Sequence, residues 1–208
     1  MASIPPQPTS ISEPQPAWDV ALLFPSQGDW SENEYLGLET NRLVELVDGN
    51  LEVLPMPTVA HQLIVWFLAE RLREYVSVRQ QGTVIFAPMP LRIRRKTFRE
   101  PDVILCASES AKPTDKNLQL ARLVMEVVSA DDKSHKRDHK EKVFDYAELG
   151  IPEYWIVDPQ SELITVLPLE GNQYRVHGEF ADGQQASSVL LSGFSIDVAA
   201  AFAAGRNV

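Results

Sequence analysis

Cysteine, long apolar runs and positive charge are all scarce in this sequence. The single cysteine, Cys106, excludes an internal disulfide framework and a zinc site built on thiolates. No apolar stretch approaches the roughly 18 residues that cross a bilayer. No basic flank leads into an apolar block at the N-terminus, so no secretory signal is expected and the protein is placed in the cytoplasm. Lys and Arg number 19 against 29 Asp and Glu, a net charge of −10. That balance argues against a general nucleic-acid coat protein, because phosphate contacts supply most nonspecific affinity. What is present is ordinary: 208 residues, 44% hydrophobic and 23% charged, suit one domain with a sizeable core.

The positive charge is concentrated. Five Lys and Arg fall within Arg92–Arg99 and five more within Lys133–Lys142. Such windows read as solvated charged faces, or as basic patches beside a phosphate-handling site.

One stretch stands apart from this pattern. Leu123-Val124-Met125-Glu126-Val127-Val128-Ser129 reads as a strand covered on both faces, since a half-exposed strand would alternate apolar with polar. Glu126 then lies where an unpaired carboxylate is costly, so something positive must meet it. A structural salt bridge would serve, and so would a metal ion.

Taken in order, the chain opens on a Pro-rich lead, residues 1–28, read as flexible, with the domain proper over 29–208. Ser31 and Glu34 form a capping-box pattern for a short helix to about Leu38. Arg42–Val47 and Leu51–Leu54 read as strands joined by an Asp48-Gly49 turn. A helix is predicted over Val59–Arg79 with Thr58 as N-cap, and His61, Val65, Leu68, Leu72 and Tyr75 share its inner face. Strands are predicted at Thr83–Phe86, Leu91–Arg95 and Val103–Cys106, with 107–121 as a surface loop. After the Glu126 strand come a helix over Lys136–Leu149 stopped by Gly150 and a strand over Glu153–Val157. Leu163–Leu167 and Gln173–Phe180 suggest a β-meander, and Asp197–Ala204 a closing helix.

Asp102 begins one apolar strand and Glu126 lies in the next, so paired strands would bring two carboxylates to one hard cation. Pro101-Asp102 can equally be a plain turn. In the following helix Asp138, Lys142 and Tyr146 recur every fourth residue and share a face, either as a solvent-exposed pair or as partners for Glu126; Lys140 points elsewhere. His61, in a first helical turn, is either a polar end to an apolar face or a group beside a cation or phosphate.

Several segments, in this order, resemble a known family. They are Val44-Glu45-Leu46-Val47-Asp48-Gly49, His61, Glu100-Pro101-Asp102-Val103, Met125-Glu126-Val127-Val128-Ser129, Asp138…Lys142…Tyr146, and Gly150-Ile151-Pro152-Glu153-Tyr154-Trp155-Ile156-Val157-Asp158-Pro159. The series is similar to the restriction-endonuclease-like family of the PD-(D/E)XK nuclease superfamily, from about Glu32 to Ala200. The resemblance implies an α/β fold with a restriction endonuclease-like core: a central mixed β-sheet flanked by helices. It also implies Mg²⁺ (or Mn²⁺) and phosphodiester hydrolysis. Asp102 and Glu126 match the two motif acids and become expected metal ligands. Val128 stands where the motif lysine would be, and Lys142 on the adjoining helix matches the position that replaces it. Glu45 corresponds to an auxiliary acid near the start of the fold.

On that footing the expected activity is metal-assisted DNA hydrolysis by Asp102, Glu126, Lys142, Tyr146, His61 and Glu45. Tyr146 and His61 would position water or phosphate, and Arg92, Arg94 and Arg95 would track the DNA backbone. The alternatives are a catalytically inactive binding or regulatory module that keeps the fold, which Val128 favours, and a nuclease acting on RNA. A homodimer covering the Tyr154-Trp155 pair and the meander is a further expectation.

Overall fold

The computed structural model describes residues 23–206. Residues 1–22 of the expected Pro-rich lead lie outside the described residues, whereas Gln27 and Gly28 hydrogen-bond to Leu51 and Gly49 of the first hairpin.

Helix α1 (Glu32–Leu36) carries the capping box: Ser31 accepts from Glu34 N, and the Glu34 carboxylate accepts from Ser31 N. Strands β1 (Val44–Val47) and β2 (Asn50–Val53) form the expected hairpin, with Asp48 and Gly49 both at positive φ. Helix α2 spans Val59–Arg79 with Thr58 as its N-cap and buries Val65, Leu68 and Leu72 as the spacing predicts. Strands β3 (Thr83–Phe86), β4 (Leu91–Arg94), β5 (Thr97–Arg99), β6 (Val103–Cys106) and β7 (Leu123–Val127) follow. β5 is a correction to the sequence reading. The chain reverses at Arg95-Lys96, with Lys96 at φ 57°, and returns along β4. No glycine marks that turn, so nothing in the sequence announced it.

A second correction concerns the helix after β7. It starts at Asp132, not Lys136, as α3 (Asp132–Lys136) with Asp131 as N-cap, and widens into a π-helical turn over Arg137–Glu141. It then continues as α4 (Lys142–Leu149), which Gly150 ends at φ 79°. Strands β8 (Glu153–Asp158) and β9 (Leu163–Glu170) lead to β10 (Gln173–Tyr174) and β11 (Gly178–Phe180). The stretch expected as one strand over 173–180 is therefore two short strands, and both pair with β9. β12 (Gln185–Ser187) and β13 (Ser195–Asp197) form a further small ribbon before α5 (Val198–Arg206).

The central sheet runs β10-β9-β8-β7-β6-β3, with β11 also on β9. Among the described residues of this sheet only β7 and β8 pair in parallel, joined by the α3–α4 crossover; its other strand pairs are antiparallel, so the sheet is mixed. The antiparallel sheet β2-β1-β5-β4 stands beside it. Side chains alternate along β7. Leu123, Met125 and Val127 face the core under α2 and α5, whereas Val124 and Val128 face the one under α4. Both faces are covered, which is why the strand is apolar at every position but Glu126. Glu126 has the parity of Val124 and Val128, so it is delivered to the α4 face.

Tyr154 and Trp155 are fully buried on opposite faces of β8, so this pair is core and not the exposed apolar surface expected of it. Glu153 is buried too; it accepts from Trp155 Nε1, Ser188 Oγ and the Val189 and Leu190 amides, which ties β8 to the later loop. Among the described residues no helix is long and apolar enough to cross a membrane.

Candidate active site

The antiparallel register of β6 and β7 pairs Val103 with Met125. One step further along, Asp102 stands opposite Glu126. The Val127 amide donates to Asp102 Oδ2 over 2.8 Å, pinning the acid against the neighbouring strand. Glu126 is almost entirely buried, and its Oε1 accepts from Lys142 Nζ at 2.8 Å and from the Tyr146 hydroxyl at 2.5 Å. The every-fourth-residue pattern thus survives the π turn: Asp138, Lys142 and Tyr146 all point toward this strand. Lys140 is exposed, as expected.

Lys142 has 2% exposure and meets three carboxylates: Glu126, Asp138 at 3.3 Å and Glu45 at 3.4 Å. Burial works against its charge, but these acids hold it well above its usual range. Burial, with Asp102 and Asp138 nearby, pushes Glu126 up to about 8 against the pull of Lys142. Tyr146 is fully buried and its hydroxyl reaches the Glu126 carboxylate, so it orients that acid and does not reach a phosphate.

Glu45, on β1, sits deeper. Its oxygens engage Arg99 Nη1 at 2.8 Å, the Glu100 amide at 3.0 Å and Lys142. Burial opposes its charge, yet Lys142 and Arg99 bring it down to about 2. Both of its oxygens are engaged, and it acts as the anchor of Lys142. Arg99 is buried and also binds Asp145. The sequence reading missed it because β5 was not foreseen.

His61 enters from the other side, held in the first turn of α2 by the Thr58 cap. Its Nε2 donates to the Val127 carbonyl at 2.9 Å and lies 3.5 Å from Asp102 Oδ2. Burial alone would lower its pKa, but the Asp102 carboxylate raises it overall. His61 therefore fixes the ends of β6 and β7 where the acids converge.

These groups line a cavity of about 30 Å³, shared by His61, Glu100, Asp102, Glu126, Arg137, Asp138 and Lys142. That volume admits an ion or a water or two and no nucleotide. Among the described residues, Asp102 Oδ1 and Glu126 Oε2 accept no hydrogen bond. Glu100 is a third acid here that sequence reasoning quoted but gave no role. Its Oε2 is buried without a partner among the described residues, and burial beside Glu45 pushes it up to about 7. Arg137 lines the same cavity, 3.4 Å from Asp138. The donors are hard oxygens in excess over cations, which fits Mg²⁺ or Mn²⁺, ions that take one or two carboxylates and keep several waters.

The expected DNA-tracking arginines are placed differently. Arg92 forms a bidentate pair with Glu32, and Arg94 binds Asp48, Asp145 and Glu148. They brace the β4–β5 hairpin against its neighbours. Of the three, only the exposed Arg95 makes no ion pair among the described residues.

Comparisons with known proteins agree with this architecture. Residues 32–199 match a family model, Uma2, described as "Putative restriction endonuclease". Among solved structures, one described as "a putative nuclease belonging to DUF820" from Anabaena variabilis ATCC 29413 superposes with a TM-score of 0.69. It is 16% identical and covers 84% of this chain and 98% of that one, a likeness that shows a shared fold. No curated protein matches the chain. With the family model matched over most of its length, including every acid described above, the chain belongs to the Uma2 family.

Proposed function

We propose that this chain is a Mg²⁺- or Mn²⁺-dependent nuclease that hydrolyses DNA phosphodiester bonds, with Asp102 and Glu126 as metal ligands. One observation carries the reading: two acids stand opposite each other on adjacent strands at one ion-sized cavity, each with an oxygen that accepts no hydrogen bond among the described residues. The chemistry supplied by such an ion is a lowered pKa for an attacking water and neutralisation of charge growing on the phosphate.

The chain's own residues prepare that chemistry. Tyr146 and Lys142 hold Glu126 Oε1, which leaves Oε2 as its free oxygen. His61 and the Val127 amide hold Asp102 Oδ2 in the same way. Lys142, fixed by Glu45 and Asp138, keeps a permanent positive charge at the cavity wall that favours an anionic transition state. Glu100, which lines the same cavity with Oε2 unpartnered among the described residues and its carboxyl pushed up to about 7, supplies a proton acceptor. A cavity this small requires DNA to lie across its mouth with one phosphate presented inward, beside Arg137.

The test compares cleavage of duplex DNA, single-stranded DNA and RNA with Mg²⁺ by the parent, Asp102→Asn and Glu126→Gln. Divalent-dependent cleavage of DNA that both substitutions abolish is the expected result; preference for RNA moves the substrate, and undiminished variants refute the mechanism. A second reading, an inactive module keeping the fold, draws on Val128 in place of the motif lysine and on the complete enclosure of Lys142. Calorimetry separates the two, because a dead site closed by ion pairs gives no heat with Mg²⁺.

A further inference from the structure

Three side chains outside that cavity have ligand atoms within 4.8 Å of one another: His135, His139 and Asp158. Two of them lie four positions apart across the junction of α3 and the π turn, and residues at that spacing are neighbours on one helix face. The rings of His135 and His139 consequently stack at 4.1 Å between centroids and 17° between planes. His139 Nε2 is buried and has no hydrogen-bond partner among the described residues. Asp158, at the end of β8, brings Oδ2 to 3.9 Å from His135 Nε2. Its carboxylate is already oriented, with the Ser161 hydroxyl donating to Oδ2 at 2.7 Å and the Gln160 amide to Oδ1 at 2.8 Å.

We propose that His135, His139 and Asp158 form a binding site for a borderline divalent ion of the Zn²⁺ class, separate from the Asp102–Glu126 pair. Two imidazoles and one carboxylate are the donor set such ions take, whereas Mg²⁺ and Ca²⁺ prefer oxygen alone. Tetrahedral coordination with bonds near 2.0–2.1 Å places ligand atoms about 3.3 Å apart. The present spacings must therefore close by up to about 1.5 Å. His135, whose side chain is half exposed, can supply part of that movement by leaving its stack on His139. The hydroxyl and amide on Asp158 are the kind of outer partners that orient a metal-binding carboxylate. Three protein ligands leave a fourth position for water. Asp138 faces Lys142 while its neighbour His139 faces β8, so an ion here would clamp the π turn to the sheet and hold the helix that carries Lys142.

The proposal is tested on the untagged full chain, stripped with a chelator and titrated with Zn²⁺ by calorimetry in excess Mg²⁺. One Zn²⁺ equivalent is expected, and Co²⁺ in its place should give the visible absorption of a low-coordinate nitrogen–oxygen site. His135→Ala, whose circular dichroism should match the parent because the residue is half exposed, should weaken Zn²⁺ binding roughly tenfold or more. Asp102→Asn should leave the Zn²⁺ equivalent in place. No heat with Zn²⁺, equal affinity in parent and His135→Ala, or loss of the equivalent in Asp102→Asn would each overturn the assignment in favour of a stacked ring pair beside a carboxylate.

Discussion

Replacing Glu126 by Gln should stabilise the metal-free protein at alkaline pH while abolishing its response to Mg²⁺. Folded Glu126 holds its proton up to about 8, against an ordinary value of 4.5. Its contribution to stability is therefore complete below pH 4.5 and is lost as pH rises through 8, because the folded state binds the proton more tightly than the unfolded chain. The span between those values corresponds to about 5 kcal/mol; relaxation and water entering the cavity reduce it to about 3. Gln keeps the shape and cannot ionise. Urea melts of parent and variant should thus agree within about 1 kcal/mol at pH 5, with the variant ahead by about 3 kcal/mol at pH 9. Titrating groups remote from Glu126 cancel in that difference. Mg²⁺ should raise the parent's alkaline stability and leave the variant unmoved. If Glu126 were instead a permanently charged structural partner of Lys142, Gln would lose two charge-assisted hydrogen bonds. The variant would then be less stable at both pH values, which refutes the reasoning.

Lys142→Met should cost about 3–5 kcal/mol in chemical denaturation, since Glu45 and Asp138 lose their buried cation; adding Glu126→Gln should recover part of that loss. Mg²⁺ affinity measured by calorimetry should rise between pH 6 and 8.5, with proton release detected in buffers of different ionisation enthalpy, because the ion displaces the proton on Glu126. Arg92→Ala should leave the salt dependence of DNA binding unchanged, since Glu32 already occupies that guanidinium. Arg95→Ala should reduce the slope by about one in fluorescence anisotropy.

The centre of the site was legible because Glu126 violates its surroundings: a charge in an apolar run needs a partner, and residues four apart on the next helix could supply it. Asp102 followed from the adjacent strand, and the Asp48-Gly49 turn gave the first hairpin. The turn at Arg95-Lys96 contains no residue that demands positive φ, so β5 stayed hidden and Arg99 with it. The partners of Arg92 and Arg94 were unreadable for another reason. Arg92 meets an acid 60 positions away and Arg94 one 46 positions away, and basic runs look solvated until the chain folds acids onto them. The π turn has no compositional signature at all, so the widening over Arg137–Glu141 was not readable. Tyr154 and Trp155 misled because aromatic pairs serve interfaces and cores alike, and only the covering of both sheet faces decides between them.

The most direct measurement is anomalous scattering from crystals soaked in Mn²⁺. A peak between Asp102 Oδ1 and Glu126 Oε2, with Lys142 still on Oε1, is the predicted result. Ordered crystals showing no Mn²⁺ there, with the Lys142 ammonium or a water bonded to both oxygens of Glu126, would contradict the assignment of these acids as metal ligands.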